Sequence, residues 1–306
     1  MEAIKTKGLT KRYKKLLALN NVDLTVNEGD IYGFLGPNGA GKTTTIRLIL
    51  DLISPTDGKI HVFGHRVANG VAQILPRIGS VLGNPAFYPH LSGRENLNLF
   101  RDLLPKGDHM SVEEGLQLVN LREKAGLKFS NFSAGMKRRL ALASAYIKDP
   151  DLYILDEPTN GLDPKGRVEV RDAIKNLGGR GKTVFLSSHL LNEVQEVCSR
   201  VGVLKDGRLI NESHVSQLLR ETSGVIVTAA KETMERISDV VSELDYVNGV
   251  EISDDRAFVD CPTDKSSQIL TTLAGEGIEV QEVERKERSL EDVFIELTED
   301  KEAHDE

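Results

Sequence analysis

The sequence predicts an α/β protein followed by a second, smaller α+β unit, and three observations carry that prediction. Gly36-Pro37-Asn38-Gly39-Ala40-Gly41-Lys42-Thr43-Thr44 matches the P-loop pattern G-x-x-x-x-G-K-[ST]. It lies between a short apolar run at 30–35, suited to a buried strand, and a helical run at 45–50. Leu152-Tyr153-Ile154-Leu155 ends in Asp156-Glu157, the pattern of a buried strand that delivers acids to the edge of a parallel sheet. From Val225 onward the apolar segments follow the order βαββαβ.

Composition bounds the function. At 306 residues the chain can bury a full core, and its length suggests one large domain or two. Hydrophobic content of 39% and charged content of 28% are ordinary for a soluble globular protein. No apolar run approaches the roughly 18 residues that span a bilayer. Met1-Glu2-Ala3-Ile4-Lys5 lacks the long apolar core of a secretory signal, so none is expected. A net charge of -8 argues against a nucleic-acid binder held by phosphate contacts. Cys198 and Cys261 are far apart and form no ligand cluster, which predicts free thiols in a reducing compartment.

Taken in order, residues 3–9 and 18–26 read as antiparallel strands, with a turn at Asn27-Glu28-Gly29. Tyr13 lies between them, where a ring can stack on an adenine or simply pack against a strand. In the P-loop, glycines let successive N–H groups point at phosphate oxygens. Lys42 adds a charge for the β- and γ-phosphates, the Thr43 hydroxyl is placed to ligate Mg²⁺, and the dipole of the following helix favours the same anion. Residues 58–64 and 78–82 read as further strands. Ser92-x-x-Glu95 and Ser111-x-x-Glu114 are capping boxes that open helices in an insertion at 85–132. Ser133 is the expected N-cap of a helix ended by Asp149-Pro150. At the next strand's end, Asp156 would hold Mg²⁺ and Glu157 would polarise an attacking water. A strand merely ending in two solvated acids is the plain alternative, which the neighbouring P-loop disfavours. Thr183-Val184-Phe185-Leu186-Ser187 is a strand that leads to Ser188-His189, placing His189 with the other catalytic groups as a γ-phosphate contact. Asp206-Gly207 between apolar runs signals a hairpin.

These pieces, in this order over residues 4–211, resemble the ATPase subunit of an ATP-binding cassette (ABC) transporter. GPNGAGKTT resembles the first nucleotide motif and LYILDEP the second, NGLDP the loop at the dimer seam, and SSH the switch histidine. Phe132-Ser133-Ala134-Gly135-Met136 corresponds to the signature usually written Leu-Ser-Gly-Gly-Gln. FSAGMKRRL resembles the variant common in drug, antibiotic-resistance and lantibiotic exporters. Gly83 stands where the family's coupling glutamine is expected, with Asn84 beside it.

The resemblance implies a P-loop NTPase cassette at 1–213, with a mixed sheet core, an antiparallel β subdomain and a helical subdomain at about 85–150. It is followed by a ferredoxin-like accessory domain at 214–298 and an acidic, disordered tail at 299–306. It implies an ATPase with ATP and Mg²⁺ as cofactors, phosphates held by residues 36–44, and metal held by Thr43 and Asp156. Catalysis falls to Lys42, Glu157 and His189, and Tyr13 takes the adenine. Ser133, Gly135 and Asp163 would close over nucleotide held by another subunit. With one P-loop in the chain, that means a homodimer or a paired ATPase subunit, two ATP at the seam, and a separate multi-spanning membrane permease. The chain is then cytoplasmic, peripheral on the inner face of the membrane, and binds no nucleic acid. A soluble ATP-driven switch is the alternative. Soluble translation relatives usually carry two cassettes, and repair relatives carry coiled coils or zinc cysteines, none of which the sequence shows. The stripe of Leu290, Val293, Phe294 and Leu297 on a final helix must bury somewhere, which suggests a regulatory or dimer-stabilising role for the second unit.

Overall fold

The computed structural model describes residues 1–83, 86–105, 107, 109–221, 224–286 and 289–299, except the side chains at 220, 221 and 296–299. Asn84, the Leu297 side chain and all of the expected tail but residue 299 therefore lie outside the described residues. The chain divides into two compact units, Met1–Ser213 and His214–Glu306.

The first unit is built on a sheet of six strands in the order Arg208–His214, Arg200–Lys205, Ile31–Leu35, Thr183–Ser188, Leu152–Asp156, Ile78–Val81. From Arg200–Lys205 to Ile78–Val81 the strands run parallel. Leu152, Tyr153, Ile154 and Leu155 are fully buried, as expected of a parallel strand covered on both faces. Each aliphatic side chain buried there contributes about 1.5–3 kcal/mol. Phe185 packs between Tyr32 and Phe34, with ring centroids 5.7 and 5.4 Å away. Parallel strands end at one edge. The chain therefore brings the residues after Leu35, Leu155 and Ser188 to the same place.

A second, antiparallel sheet contains Leu16–Val22, Glu2–Tyr13, Asp57–Val62 and His65–Arg66, with Thr25–Asn27 also paired to Glu2–Tyr13. The first strand is longer than expected, so Tyr13 belongs to it and pairs with Leu16 across a turn in which Lys14 has a φ of 50°. The strand expected at 18–26 is split in two. Buried Thr6 bridges the break: its hydroxyl donates to the Val22 carbonyl and accepts from the Leu24 N–H. That side chain satisfies two backbone groups that the interrupted ladder would leave unpaired.

Between the strands Ile78–Val81 and Leu152–Asp156 come the helices Gly93–Asp102, Val112–Leu118 and Ala134–Ile147. Ser92 with Glu95, and Ser111 with Glu114, form complete capping boxes. The helix Val67–Ile74, not anticipated, precedes this region. The expected hairpin joins Arg200–Lys205 to Arg208–His214, with positive φ at Asp206 (48°) and Gly207 (74°), the requirement of a type I′ turn. Residues 211–214 belong to its second strand. Glu212 faces inward to the Tyr32 hydroxyl (3.0 Å) and Arg200 (3.4 Å).

The second unit contains a four-stranded antiparallel sheet ordered Gly249–Ser253, Arg256–Asp260, Gly224–Ala229, Val280–Lys286. Helices Met234–Ser242 and Ser266–Gly275 complete the ferredoxin-like βαββαβ arrangement. Its core joins Val225, Val227, Ile237, Val241, Val259 and Ile269. The final helix, Leu290–Glu299, packs on a helix at Val215–Glu221 within the same unit. Leu290, Val293, Val215 and Leu218 are buried. The described part of the terminal apolar stripe thus has a partner in its own unit.

Candidate nucleotide site

The strand Ile31–Leu35 runs into the loop, and the helix Lys42–Ile49 begins at its end. Gly41 has a φ of 113°, and a Cβ there would lie 2.7 Å from the Ala18 carbonyl oxygen and 2.6 Å from Leu19. Both the dihedral and the close approach require glycine. The hairpin tip braces the loop: the Gly207 N–H donates to the Ala40 carbonyl at 3.0 Å, and the Gly207 carbonyl accepts from Asn20 at 2.8 Å. The resulting cleft, about 440 Å³, is lined by Tyr13, Asn38, Gly39, Gly41, Lys42, Thr43, Thr44 and Glu157. Leu16, Leu17, Ala18, Asn160, Asp206 and Gly207 complete the wall. Tyr13 is 40% exposed at the rim, and the Lys11 ammonium lies over its ring, 4.9 Å from the centroid.

The charged groups form one connected chain. The Lys42 ammonium donates to the carbonyls of Gly36 (2.7 Å) and Pro37 (3.2 Å) and lies 3.4 Å from Glu157 Oε1. Glu157 Oε2 is 2.7 Å from His189 Nδ1. The Thr43 hydroxyl donates to the Asp156 carboxylate at 3.1 Å. A hydroxyl and a carboxylate at that spacing fit a small divalent cation that also takes phosphate oxygens and water. Among the described residues no group of three or more His, Cys, Asp or Glu could hold a metal by itself.

Sequence reasoning missed Ser187. It is fully buried and pairs in register with Asp156. Its hydroxyl donates to Asp156 Oδ1 at 2.6 Å and accepts from the Glu157 N–H at 3.0 Å. The only hint was a polar residue inside an apolar strand, and the register that gives it meaning is tertiary. Arg138 was quoted within the signature but given no role. It too reaches the acids, through their backbone.

Ser133, Gly135 and Asp163 do not line the cleft. Ser133 Oγ accepts from the Met136 N–H at 3.2 Å, as the N-cap of the helix Ala134–Ile147. Asp163 Oδ1 accepts from the Gly166 N–H at 3.2 Å, capping the helix Pro164–Gly179.

Comparison with known proteins then decides the family. The chain is 36% identical over 296 residues to the bacitracin transport ATP-binding protein BcrA of Bacillus licheniformis, covering 96% of each. The chain belongs to the ABC transporter family. Residues 19–160 match that family itself, and residues 208–298 match the C-terminal domain described as that of ATP-binding protein DrrA1-3-like. The daunorubicin resistance ATP-binding protein DrrA3 of Streptomyces coeruleorubidus is 36% identical over 305 residues, with 97% of this chain and 96% of that one covered. Among solved structures, the dimeric post-hydrolysis state of the ATP-binding cassette MJ0796 bound to ADP and Pi matches with a TM-score of 0.62. The identity is 29%, over 69% of this chain and 98% of that chain. The chain is thus an ABC ATPase subunit with a DrrA1-3-like C-terminal domain, and its nucleotide is adenine-based. Among the described residues no helix is long and apolar enough to cross a membrane.

Proposed function

We propose that this ABC subunit binds ATP in the cleft at Lys42, dimerises on it, and uses hydrolysis to drive export of a drug, peptide antibiotic or similar compound by a separate multi-spanning permease. The observation that carries the chemistry is the chain Lys42–Glu157–His189, with 3.4 and 2.7 Å between neighbours, at the C-terminal edge of a parallel sheet. Backbone N–H groups of the loop 36–44, other than at Pro37, and the Lys42 ammonium bind and orient the phosphates, and Tyr13 stacks on the base. Glu157 accepts a proton from the attacking water. His189 orients its carboxylate and contacts the γ-phosphate. Mg²⁺, held by Thr43 and Asp156, would neutralise charge on the β- and γ-phosphate oxygens. The names of the relatives, bacitracin transport and daunorubicin resistance, support export and the class of cargo. A cytoplasmic position on the inner face of the membrane follows from docking to the permease.

Ser133, Gly135 and Asp163 lie outside the cleft of their own chain, and we assign them to the nucleotide held by a second copy, with the Ser133 hydroxyl and its helix N-terminus facing the γ-phosphate. A helix N-terminus supplies donors to such an anion. The test mixes Lys42→Ala chains, which lose the phosphate charge, with Ser133→Arg chains, which block closure. Each alone is expected to be inactive, and the mixture to recover part of the activity through heterodimers with one intact site. Normal hydrolysis by Ser133→Arg alone would remove the signature from the site. Purification from native membranes is expected to bring one multi-spanning protein with the chain. Its absence would favour a soluble switch.

A further inference from the structure

Arg138 lies in the helix Ala134–Ile147, two residues after Met136 of the signature, and is 8% exposed. Its guanidinium meets four backbone carbonyls and, among the described residues, no carboxylate. Nε donates to Pro158 O at 2.9 Å and Nη2 to Asp156 O at 3.2 Å. Further bonds run from Nη2 to Glu157 O and from Nη1 to Gly83 O. Burial pushes the guanidinium below its ordinary value, and the charges of Asp156 and Glu157 oppose that shift. A planar fork with five donors satisfies four carbonyls from two separate segments at once, one more than the three donors of an ammonium can reach.

The segments so joined are the turn that carries Glu157 and the turn at Gly83, which has no side chain to make a connection of its own. Glu157 has a φ of 48°. Its N–H is held by Ser187 at 3.0 Å, and its carbonyl is held by Arg138. The geometry points to Arg138 as the positioning residue that fixes the Glu157 turn and the Gly83 turn in register with the signature helix. This inference rests on Glu157 being the base. A displacement of the signature helix then moves the catalytic carboxylate, a link that needs no glutamine at position 83. Arg139, next in sequence and 7% exposed, is a natural control. It donates to Val119 O (2.9 Å) and Asn120 O (3.0 Å) and pairs with Glu169 at 3.0 Å, away from the acids.

The test measures kcat and ATP affinity for the full-length chain carrying Arg138→Lys, Arg138→Ala, Arg139→Ala or Glu157→Gln. Arg138→Lys keeps the charge but cannot span four carbonyls. It is expected to lose about tenfold or more in kcat with Kd for ATP within about twofold. Arg138→Ala is expected to do the same and to regain turnover in low millimolar guanidinium but not in ammonium. Arg139→Ala is expected to lower Tm with kcat per folded chain unchanged. Wild-type kcat in Arg138→Lys overturns the inference, as does parallel loss of kcat and affinity, or an equal kcat loss in Arg139→Ala. If Arg138→Ala does not fold, Arg138→Lys decides. Near-normal turnover in Glu157→Gln would instead remove the base assignment. Loss in Glu157→Gln with full activity in Arg138→Lys would overturn the Arg138 inference alone.

Discussion

Glu157 shows how much one position can depend on others. Its carboxylate is shared between Lys42 and His189, and its backbone takes a φ of 48°, a conformation that costs about 1–3 kcal/mol for a residue with a side chain. Replacing it by Gln keeps the shape but removes the basicity. Turnover is expected to fall by about a hundredfold or more, ~3 kcal/mol of barrier, while ATP binding persists. Rapid-quench ATPase assays beside equilibrium nucleotide binding separate the two effects. Ser187→Ala removes the hydroxyl between Asp156 and Glu157. It should cost about 1–3 kcal/mol of stability, read as a lowered Tm, together with weaker Mg²⁺-dependent turnover. Unchanged Mg²⁺ dependence would make Ser187 structural only. The thiols behave differently. Burial pushes Cys261 up to about 11 from 9.0, with Asp260 adding to the shift, and burial raises Cys198 as well. The unfolded thiol therefore ionises first, so the unfolded chain holds fewer protons between these values and stability falls as pH rises across the window. Both thiols should resist alkylation at pH 8 in the folded protein and react on unfolding. Prompt labelling of the native chain would contradict their burial.

Elements here carry double duties that one substitution can separate. Ser133 caps the helix Ala134–Ile147 and is also assigned to a neighbour's phosphate. Ser133→Ala should cost about 1 kcal/mol through the lost cap. Ser133→Asp keeps a capping oxygen and adds negative charge at the helix N-terminus. It is expected to retain Tm yet lose most ATPase activity, because the carboxylate opposes the γ-phosphate. Differential scanning calorimetry and an ATPase assay on the same sample check both halves. Full activity in Ser133→Asp would leave Ser133 only as a cap. The hairpin at Asp206-Gly207 is another such element. Its local turn chemistry was legible, but its role as a brace for Ala40 and Asn20 exists only because the sheet order sets Arg200–Lys205 beside Ile31–Leu35.

At the scale of the molecule, every assigned nucleotide and metal residue lies in Met1–Ser213, and His214–Glu306 has its own core. A chain ending at Ser213 keeps Glu212 and its bonds to Tyr32 and Arg200. It is expected to fold and to bind ATP within about twofold of the full chain, since every assigned nucleotide residue precedes that point. Isothermal titration calorimetry with a non-hydrolysable ATP analogue tests this. Loss of affinity in a folded truncated chain would give the second unit a place in the nucleotide site. The dimer dissociation constant of the same two chains reads its part in assembly. The packing of Leu290 and Val293 in a helix against Val215–Glu221 accounts for part of the stripe without any outside partner.

The sequence by itself determined the phosphate loop, the paired acids at a strand end, the capping boxes, the hairpin turn and the βαββαβ order. Each depends on neighbours within a few residues, through a dihedral only glycine adopts, a side chain that reaches its own helix end, or the period of burial. Tertiary structure alone decided that Ser187 stands opposite Asp156, that Arg138 reaches the carbonyls of residues 83 and 156–158, and that Thr6 spans a broken strand. Those contacts join segments distant along the chain. Strand register and helix placement set them by burying many apolar side chains together, and no local pattern records which polar atoms that burial will leave face to face.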